Sequence, residues 1–92
     1  MIYKLVYTKS AERDLDCLDN AVRRRIFKKM DEYLGLKDPM DKASKLKGFE
    51  VSTYKFRIGD YRVVFRLDSK TRRLVVLVVL KIKHRKEIYK KT

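Results

Sequence analysis

The feature that most constrains the fold of this chain is a two-residue turn, Gly59-Asp60, between two segments of alternating apolar and polar residues. Residues 53–58 and residues 61–67 each alternate with the period of two that is typical of half-buried strands. A two-residue turn with glycine first predicts a β-hairpin and fixes its register. In that register Ile58 faces Tyr61, Arg57 faces Arg62 and Lys55 faces Val64.

The predicted register collects like charges on one side of the hairpin: Lys55, Arg57, Arg62 and Arg66. Like charges opposite one another on paired strands are destabilising, by a few tenths to ~1 kcal/mol. A bound anion such as a phosphodiester would turn that repulsion into attraction. The alternative is a solvated sheet face whose long side chains extend into water, where lysine also discourages edge aggregation. Charge alone does not decide between these interpretations.

The first half of the chain predicts a strand followed by two helices. Residues 1–7 are rich in Ile, Tyr, Leu and Val, as strands are, and residues 8–10 supply cap-type side chains. Two apolar stripes at helical spacing follow, interrupted at Asp19-Asn20. The first stripe is Ala11, Leu15 and Leu18, and the second is Val22, Ile26, Met30, Tyr33 and Leu34. Residues 35–47 hold the only proline and predict a connector, with which a short helical turn is compatible.

The second half predicts strands and a short final helix. Residues 68–72 form a polar loop, and residues 74–80 are apolar at every position, as in a central strand covered on both sides. Residues 83–92 are helix-compatible and mostly basic. We therefore expect one α+β domain over residues 1–92. In it, an N-terminal strand and a helical hairpin pack on an antiparallel sheet of about four strands, with a short C-terminal helix.

The charge of the chain indicates a polyanionic partner. The formal net charge is +13 over 92 residues. Residues 1–50 hold 12 Lys and Arg against 9 Asp and Glu, whereas residues 51–92 hold 13 against 3. The second half is therefore the expected anion-facing surface. Nucleic acid is the commonest such partner, and an anionic membrane surface or an acidic protein are the competitors.

A second basic cluster ends the chain. Lys81 and Lys83 share one face as the last strand ends, and Arg85 and Tyr89 are neighbours on a following helix. A cation beside an aromatic ring suits nucleic acid, because the guanidinium binds phosphate while the ring stacks on a base. The competing interpretation is a basic terminus in which Tyr89 packs on the sheet. His84, the only histidine, is a candidate acid/base, although a structural role is the commoner one.

Several classes of site are not supported. One histidine and one cysteine do not make a typical zinc site, and no carboxylate group is placed to hold magnesium. We find no glycine-rich phosphate loop, and we expect no cofactor. The single Cys17, the absence of a signal-peptide pattern and an apolar run of only seven residues predict a cytoplasmic protein without a membrane partner. Nuclease chemistry would then proceed without a metal, which suits RNA because its 2′-hydroxyl is an internal nucleophile.

Three stretches resemble the RelE/ParE toxin superfamily. The predicted order of elements and the length also fit its domain, so the resemblance covers essentially the whole chain. The three stretches are Lys45-Leu46-Lys47-Gly48, then Tyr54-Lys55-Phe56-Arg57-Ile58-Gly59-Asp60-Tyr61-Arg62-Val63-Val64-Phe65, and His84-Arg85-Lys86-Glu87-Ile88-Tyr89. The RelE branch implies a toxin that cleaves mRNA in the ribosomal A site, inhibits translation and is neutralised by a RelB-like antitoxin in a hetero-oligomer. The ParE branch of the same fold implies a non-enzymatic inhibitor of DNA gyrase.

The resemblance also implies roles for residues. Lys55 and Arg57 look like the paired cations beside the attacking 2′-hydroxyl, and Arg62 resembles the arginine that clamps the phosphate. Arg57 stands where the family often has lysine, and arginine is effectively never deprotonated, so Lys55 is the expected base.

At the end of the chain, the resemblance assigns a transition-state cation to either Lys83 or Arg85 and a base-stacking role to Tyr89. The RNA-binding set is therefore expected to be Lys55, Arg57, Arg62, Arg66, Lys81, Lys83, Arg85 and Tyr89. We therefore expect an enzyme, a metal-independent and ribosome-dependent mRNA endonuclease of the RelE type. The alternatives are a non-enzymatic gyrase inhibitor and an inactive basic nucleic-acid-binding remnant.

Overall fold

The computed structural model describes residues 2–46, 53–69 and 74–84. Their elements, in chain order, are β1 (Ile2–Tyr7), α1 (Lys9–Asp16), α2 (Asn20–Leu34), a 3₁₀ turn (Pro39–Lys42), β2 (Ala43–Lys45), β3 (Thr53–Ile58), β4 (Tyr61–Ser69) and β5 (Leu74–His84). The expected α+β class is confirmed, since two helices pack on one sheet. No helix in the described ranges has the length and apolar content needed to cross a bilayer.

The five strands form one sheet in the order β1-β5-β4-β3-β2. The pairs β2–β3, β3–β4 and β4–β5 are antiparallel, while β1 pairs with β5 in parallel. The sheet is thus mixed, with β1 as an edge strand of it. Parallel strands need a long crossover, and here the two helices and three strands between β1 and β5 supply it.

The predicted hairpin register is confirmed. Ile58 pairs with Tyr61, Arg57 with Arg62, and Lys55 with Val64. Gly59 has φ of 60°, and no non-glycine among the described residues has a positive φ. Positive φ at the first turn residue alone defines the type II′ turn, whose twist matches that of the flanking strands.

The helices follow the predicted caps and stripes closely. Thr8 precedes α1, and its Oγ1 accepts a hydrogen bond from the Ala11 backbone N–H at 3.1 Å. Asp19 takes the N-cap position of α2 without a side-chain cap bond. The first helix buries Ala11 and Leu15, and the second buries Ile26 and Met30.

The core lies between the helices and one face of the sheet, here called the helix-covered face. Phe56, Val63, Phe65, Leu77 and Val79 are fully buried on it. The rings of Phe56 and Phe65 stack with centroids 4.6 Å apart. Because side chains alternate along a strand, the residues between these belong to the opposite face, here called the second face.

One strand was not predicted, and two strands extend beyond their predicted ends. The short strand β2 lies within the predicted connector, since three residues are too few to show an alternating pattern. Strand β4 continues to Ser69 because Asp68 and Ser69 pair with β5. Strand β5 continues to His84, so the first two residues of the predicted final helix are in a strand. The rest of that helix lies outside the described residues.

Candidate functional site

Three cations form a row across three neighbouring strands of the second face. Arg57 of β3 pairs with Arg62 of β4, which pairs with Lys83 of β5. The hairpin sequence predicted the first pair, and the β4–β5 register adds the third member. We call Arg57, Arg62 and Lys83 the cationic row. It lies at the end of the sheet where the type II′ turn joins β3 to β4.

Arg62, at the centre of the row, is buried. It is only 5% exposed, so the interpretation of a solvated face with splayed side chains is wrong for this residue. Its Nη1 donates to the carbonyl oxygens of Gly59 at 3.3 Å and Tyr61 at 3.1 Å. Its Nε has no hydrogen-bond partner, and no carboxylate of the described residues forms an ion pair with it. A buried guanidinium retains its charge, so the site favours an anion.

Lys83 is held at the edge of the row by α1. Its Nζ lies 3.4 Å from Asp14 Oδ1, and Asp14 Oδ2 accepts the backbone N–H of Ile82 at 2.9 Å. Asp14 therefore covers the part of β5 that extends past β1 and also orients Lys83. The sequence analysis assigned Asp14 no role and missed this contact. The available signal was the position of Asp14 beside the buried stripe of Ala11 and Leu15.

A second row, of mixed composition, adjoins the first. Lys55 of β3 pairs with Ser44 on one side and Val64 on the other, and Val64 pairs with Lys81 of β5. Lys81 is exposed and Lys55 is half-buried, whereas Val64 is buried. The two lysines therefore flank an apolar position on the same face as the cationic row.

Arg66 lies two residues beyond Val64 on β4, on the same face of the sheet. It is exposed, and it pairs with Thr53 and Val78. The structure thus brings six of the predicted residues to one sheet face, in a patch that begins at the hairpin turn: Lys55, Arg57, Arg62, Arg66, Lys81 and Lys83.

His84 lies on the other side of the sheet from the cationic row. It pairs with Tyr61, and the two rings meet edge to face with centroids 5.3 Å apart. Tyr61 packs against the core of the helix-covered face. This placement favours a packing role over the candidate acid/base role of His84.

The remaining predicted site residues, Arg85 and Tyr89, lie outside the described residues. Within the described ranges, His, Cys, Asp and Glu side chains form no group of three that could hold a metal.

A separate cleft lies between β1, α1 and α2, away from the cationic row. Tyr7, Leu15 and Phe27 contribute its apolar surface, and its rim carries both acidic and basic side chains. The rings of Tyr7 and Phe27 meet edge to face at 6.0 Å. Burial, and then the charge of Asp31, raise the pKa of the Tyr7 phenol, which therefore stays neutral.

Together, fold and site define a small basic protein that presents a cluster of cations at one end of a mixed sheet. A family model described as the ParE toxin of type II toxin–antitoxin system, parDE, matches residues 5–89. The chain belongs to this family, and it is a toxin of a type II toxin–antitoxin system of the RelE/ParE superfamily. No curated protein matches the chain.

Solved structures with this fold come from archaea and bacteria. The archaeal RelE–RelB complex of Pyrococcus horikoshii OT3 is 31% identical, with a TM-score of 0.68, over 92% of this chain and 97% of that one. The RelBE2 toxin–antitoxin complex of Mycobacterium tuberculosis is 26% identical, also with a TM-score of 0.68, over 92% and 94%. The RelB–RelE complex of Methanococcus jannaschii, 23% identical with a TM-score of 0.68 over 95% and 98%, supports the fold alone.

Proposed function

We propose that this toxin is a metal-independent, ribosome-dependent mRNA endonuclease of the RelE type. The observation that carries the proposal is buried Arg62, which has no carboxylate partner among the described residues and lies between two further cations. A buried charge without a partner lowers stability. Such a charge is typical of functional sites, where a bound anion would compensate it.

The row supports binding of a scissile phosphodiester. Arg62 is anchored by two carbonyls of the hairpin, which fixes its direction, and its Nε donor remains to be satisfied. Arg57 and Lys83, on either side, would neutralise the remaining charge of the phosphate. As the bridging phosphate passes through its transition state its negative charge grows, and fixed cations then stabilise it more than they stabilise the bound substrate.

The proposed reaction uses the RNA 2′-hydroxyl as nucleophile. Its oxygen attacks the adjacent phosphorus, the bond from phosphorus to the 5′-oxygen breaks, and the products are a 2′,3′-cyclic phosphate and a 5′-hydroxyl. One proton must leave the 2′-oxygen and one must reach the 5′-oxygen. Lys55 is the proposed acceptor because arginine does not deprotonate. Either Lys83 or Arg85 would stabilise the leaving 5′-oxygen, which would take its proton from the Lys83 ammonium or from water, and Tyr89 would stack on the base.

Cleavage of ribosome-bound message by the purified toxin tests the proposal. The wild type should cleave with and without EDTA. Arg57→Ala, which changes an exposed side chain, should reduce the rate about 100-fold or more, as loss of a transition-state cation does. Arg62→Ala and Tyr89→Ala should also reduce it, and Lys42→Ala, an exposed cation elsewhere, serves as the matched control. Intact message with wild-type toxin under both conditions would contradict the proposal.

A second candidate function is inhibition of DNA gyrase. The match to the ParE family model favours it, as does Arg57 at a position where the RelE branch often has lysine. Inhibition of supercoiling without cleavage of message would establish this function. A third option is a remnant without activity. Growth arrest on expression, relieved by the neighbouring antitoxin gene, would exclude it.

The proposed partner in the cell is a RelB-like antitoxin. The matched structures of Pyrococcus horikoshii and Mycobacterium tuberculosis are toxin–antitoxin complexes, and the formal charge of +13 suits an acidic partner segment. Association between opposite charges is accelerated by long-range attraction that salt screens. The association rate should therefore fall as ionic strength rises, and a rate that is indifferent to salt would argue against acidic contacts.

A further inference from the structure

The middle of α2 carries cations that the cationic row does not include. Arg24, Arg25, Lys28 and Lys29 are all exposed. Positions 24 and 28 are one helical turn apart, as are positions 25 and 29, so these side chains lie next to one another on the helix surface. The proposed cleavage reaction assigns them no role.

The order of charges along α2 opposes its helix dipole. Its first turn contains no acidic residue and its last turn no basic one, whereas three arginines occupy positions 23–25 and Asp31 and Glu32 lie near the end. The N-terminal end of a helix is its positive end, so acids stabilise it there and bases stabilise the opposite end. Asp19 at the N-cap supplies one acid at the positive end, but the dipole gives the arginines of the next turn no stabilising role. Helix stability therefore does not account for these cations.

Only part of this charge is compensated within the fold. Arg23 pairs with Asp16 at 3.7 Å, and Lys29 pairs with Glu32 at 3.2 Å. Arg24, Arg25 and Lys28, here called the α2 patch, form no ion pair with a carboxylate of the described residues. Their charge is available to an external anion.

The α2 patch adjoins the hairpin that carries the cationic row. A Cβ added at Gly59 would lie 3.8 Å from Arg25 Nη1. Near the C-terminal end of the same helix, the Tyr33 hydroxyl donates a hydrogen bond to the carbonyl oxygen of Arg57 at 3.3 Å. The type II′ turn therefore has the cationic row on one side and Arg25 on the other, and cationic surface continues around the tip of the hairpin.

We propose that the α2 patch binds the phosphodiester backbone of RNA at a second position, beyond the segment held at the cationic row. The inference rests on the RNA target of the proposed function. An RNA backbone matches the patch because Arg24, Arg25 and Lys28 have no large apolar side chain between them. Protein interfaces instead centre on aromatic and apolar anchors and are depleted of charge there, whereas nucleic-acid interfaces are polar and positive.

The test compares two triple variants of equal charge in the full-length protein. One is Arg24→Gln/Arg25→Gln/Lys28→Gln, in which glutamine keeps the helix propensity high. The control is Lys9→Gln/Lys37→Gln/Lys42→Gln, which removes three exposed cations elsewhere. The probe is a labelled hairpin RNA with every 2′-hydroxyl methylated, so that binding is measured without cleavage. Its Kd is determined over a series of KCl concentrations.

We expect the α2 variant to lower the slope of log Kd against log salt by about 2, since each lost phosphate contact contributes roughly 0.7–0.9. Its affinity at 0.15 M salt should fall at least about tenfold by the same relation, and that of the control no more than about twofold. Equal losses of RNA affinity in both variants would show that only the net charge matters, and would overturn the proposal. Undiminished RNA binding, with lost binding to a poly-glutamate peptide, would overturn it in favour of an acidic protein.

The outcome separates this inference from the proposed cleavage. If the wild type cleaves ribosome-bound message while the α2 variant binds RNA normally, the α2 patch inference fails alone. If RNA binding depends on the α2 patch but no message is cleaved, the cleavage proposal fails alone.

Discussion

The two faces of the sheet use neighbouring residues of the same strands for opposite purposes. On β3, Phe56 is fully buried against the helices, while Arg57 next to it is exposed on the second face. On β4, Val63 is fully buried in the core, and Arg62 beside it belongs to the cationic row. The helix-covered face supplies the apolar burial that stabilises the fold, and the second face places like charges together at a cost.

The comparison between the two faces shows how three neighbouring cations can be held in place although they repel one another. A shift of one residue in register would move every core side chain to the wrong face. The packed aromatic rings of Phe56 and Phe65 therefore fix the β3–β4 register, and with it the spacing of Arg57 and Arg62. Stability on one face thus determines geometry on the other.

The largest expected effect is on the helix-covered face. Phe56→Ala should lower the free energy of unfolding by about 3–5 kcal/mol, because it removes a fully buried ring and leaves a cavity. Chemical denaturation measures this change. The matched control is the adjacent Arg57→Ala, which should change stability by no more than about 0.5 kcal/mol. Similar losses from the two variants would contradict the division between the faces.

A change of opposite sign is expected at the centre of the cationic row. Arg62→Met keeps a long side chain but removes a buried charge that has no carboxylate partner among the described residues. We expect the free energy of unfolding to rise by about 1–2 kcal/mol, because replacing buried charge with a packed apolar group is often stabilising. RNA affinity should fall in the same variant. A large loss of stability would show that the hydrogen bonds of Arg62 to the hairpin outweigh its burial.

A smaller effect is expected where α1 contacts the end of the row. Asp14→Ala should lower the free energy of unfolding by about 1 kcal/mol, because the Ile82 N–H loses its acceptor. Asp14→Asn retains an acceptor oxygen and should cost less. The ion pair with Lys83 adds little in either case, since the lysine side chain is 38% exposed. Equal losses in the two variants, measured by denaturation, would assign the effect to charge instead of the hydrogen bond.

The part of the site that could be predicted from sequence is the part fixed by local rules. Gly59-Asp60 and the flanking alternation determined that Arg57 faces Arg62, and the register confirms it. Lys83 could not be placed in the row in the same way. The β4–β5 pairing shifts register between Val64 and Phe65, and no sequence rule predicts the position of such a bulge.

Two other features depended on tertiary contacts. Asp14 and Ile82 are 68 residues apart, so no local spacing could pair them. The burial of Arg62 depends on how its guanidinium folds back onto the hairpin, and charge patterning alone did not decide between a buried and a solvated side chain. The parallel pairing of β1 with β5 likewise joins the two most distant strands of the chain.

The smallest expected effect tests whether the exposed cations of α2, like those of the second face, lower stability while they promote RNA binding. Ala21→Glu adds an acid to the exposed first turn of α2, one turn before Arg25. It should raise the free energy of unfolding by about 0.5–1 kcal/mol, because glutamate is favoured both at a helix N-terminus and four residues before arginine. RNA affinity should fall as stability rises, because the new carboxylate competes with RNA for Arg25.

Ala21→Gln is the control and should change neither the free energy of unfolding nor the RNA affinity appreciably. If Ala21→Glu is more stable and binds RNA as tightly as the wild type, the cations of α2 are ordinary solvated charge, and the conflict between stability and binding is confined to the second face of the sheet.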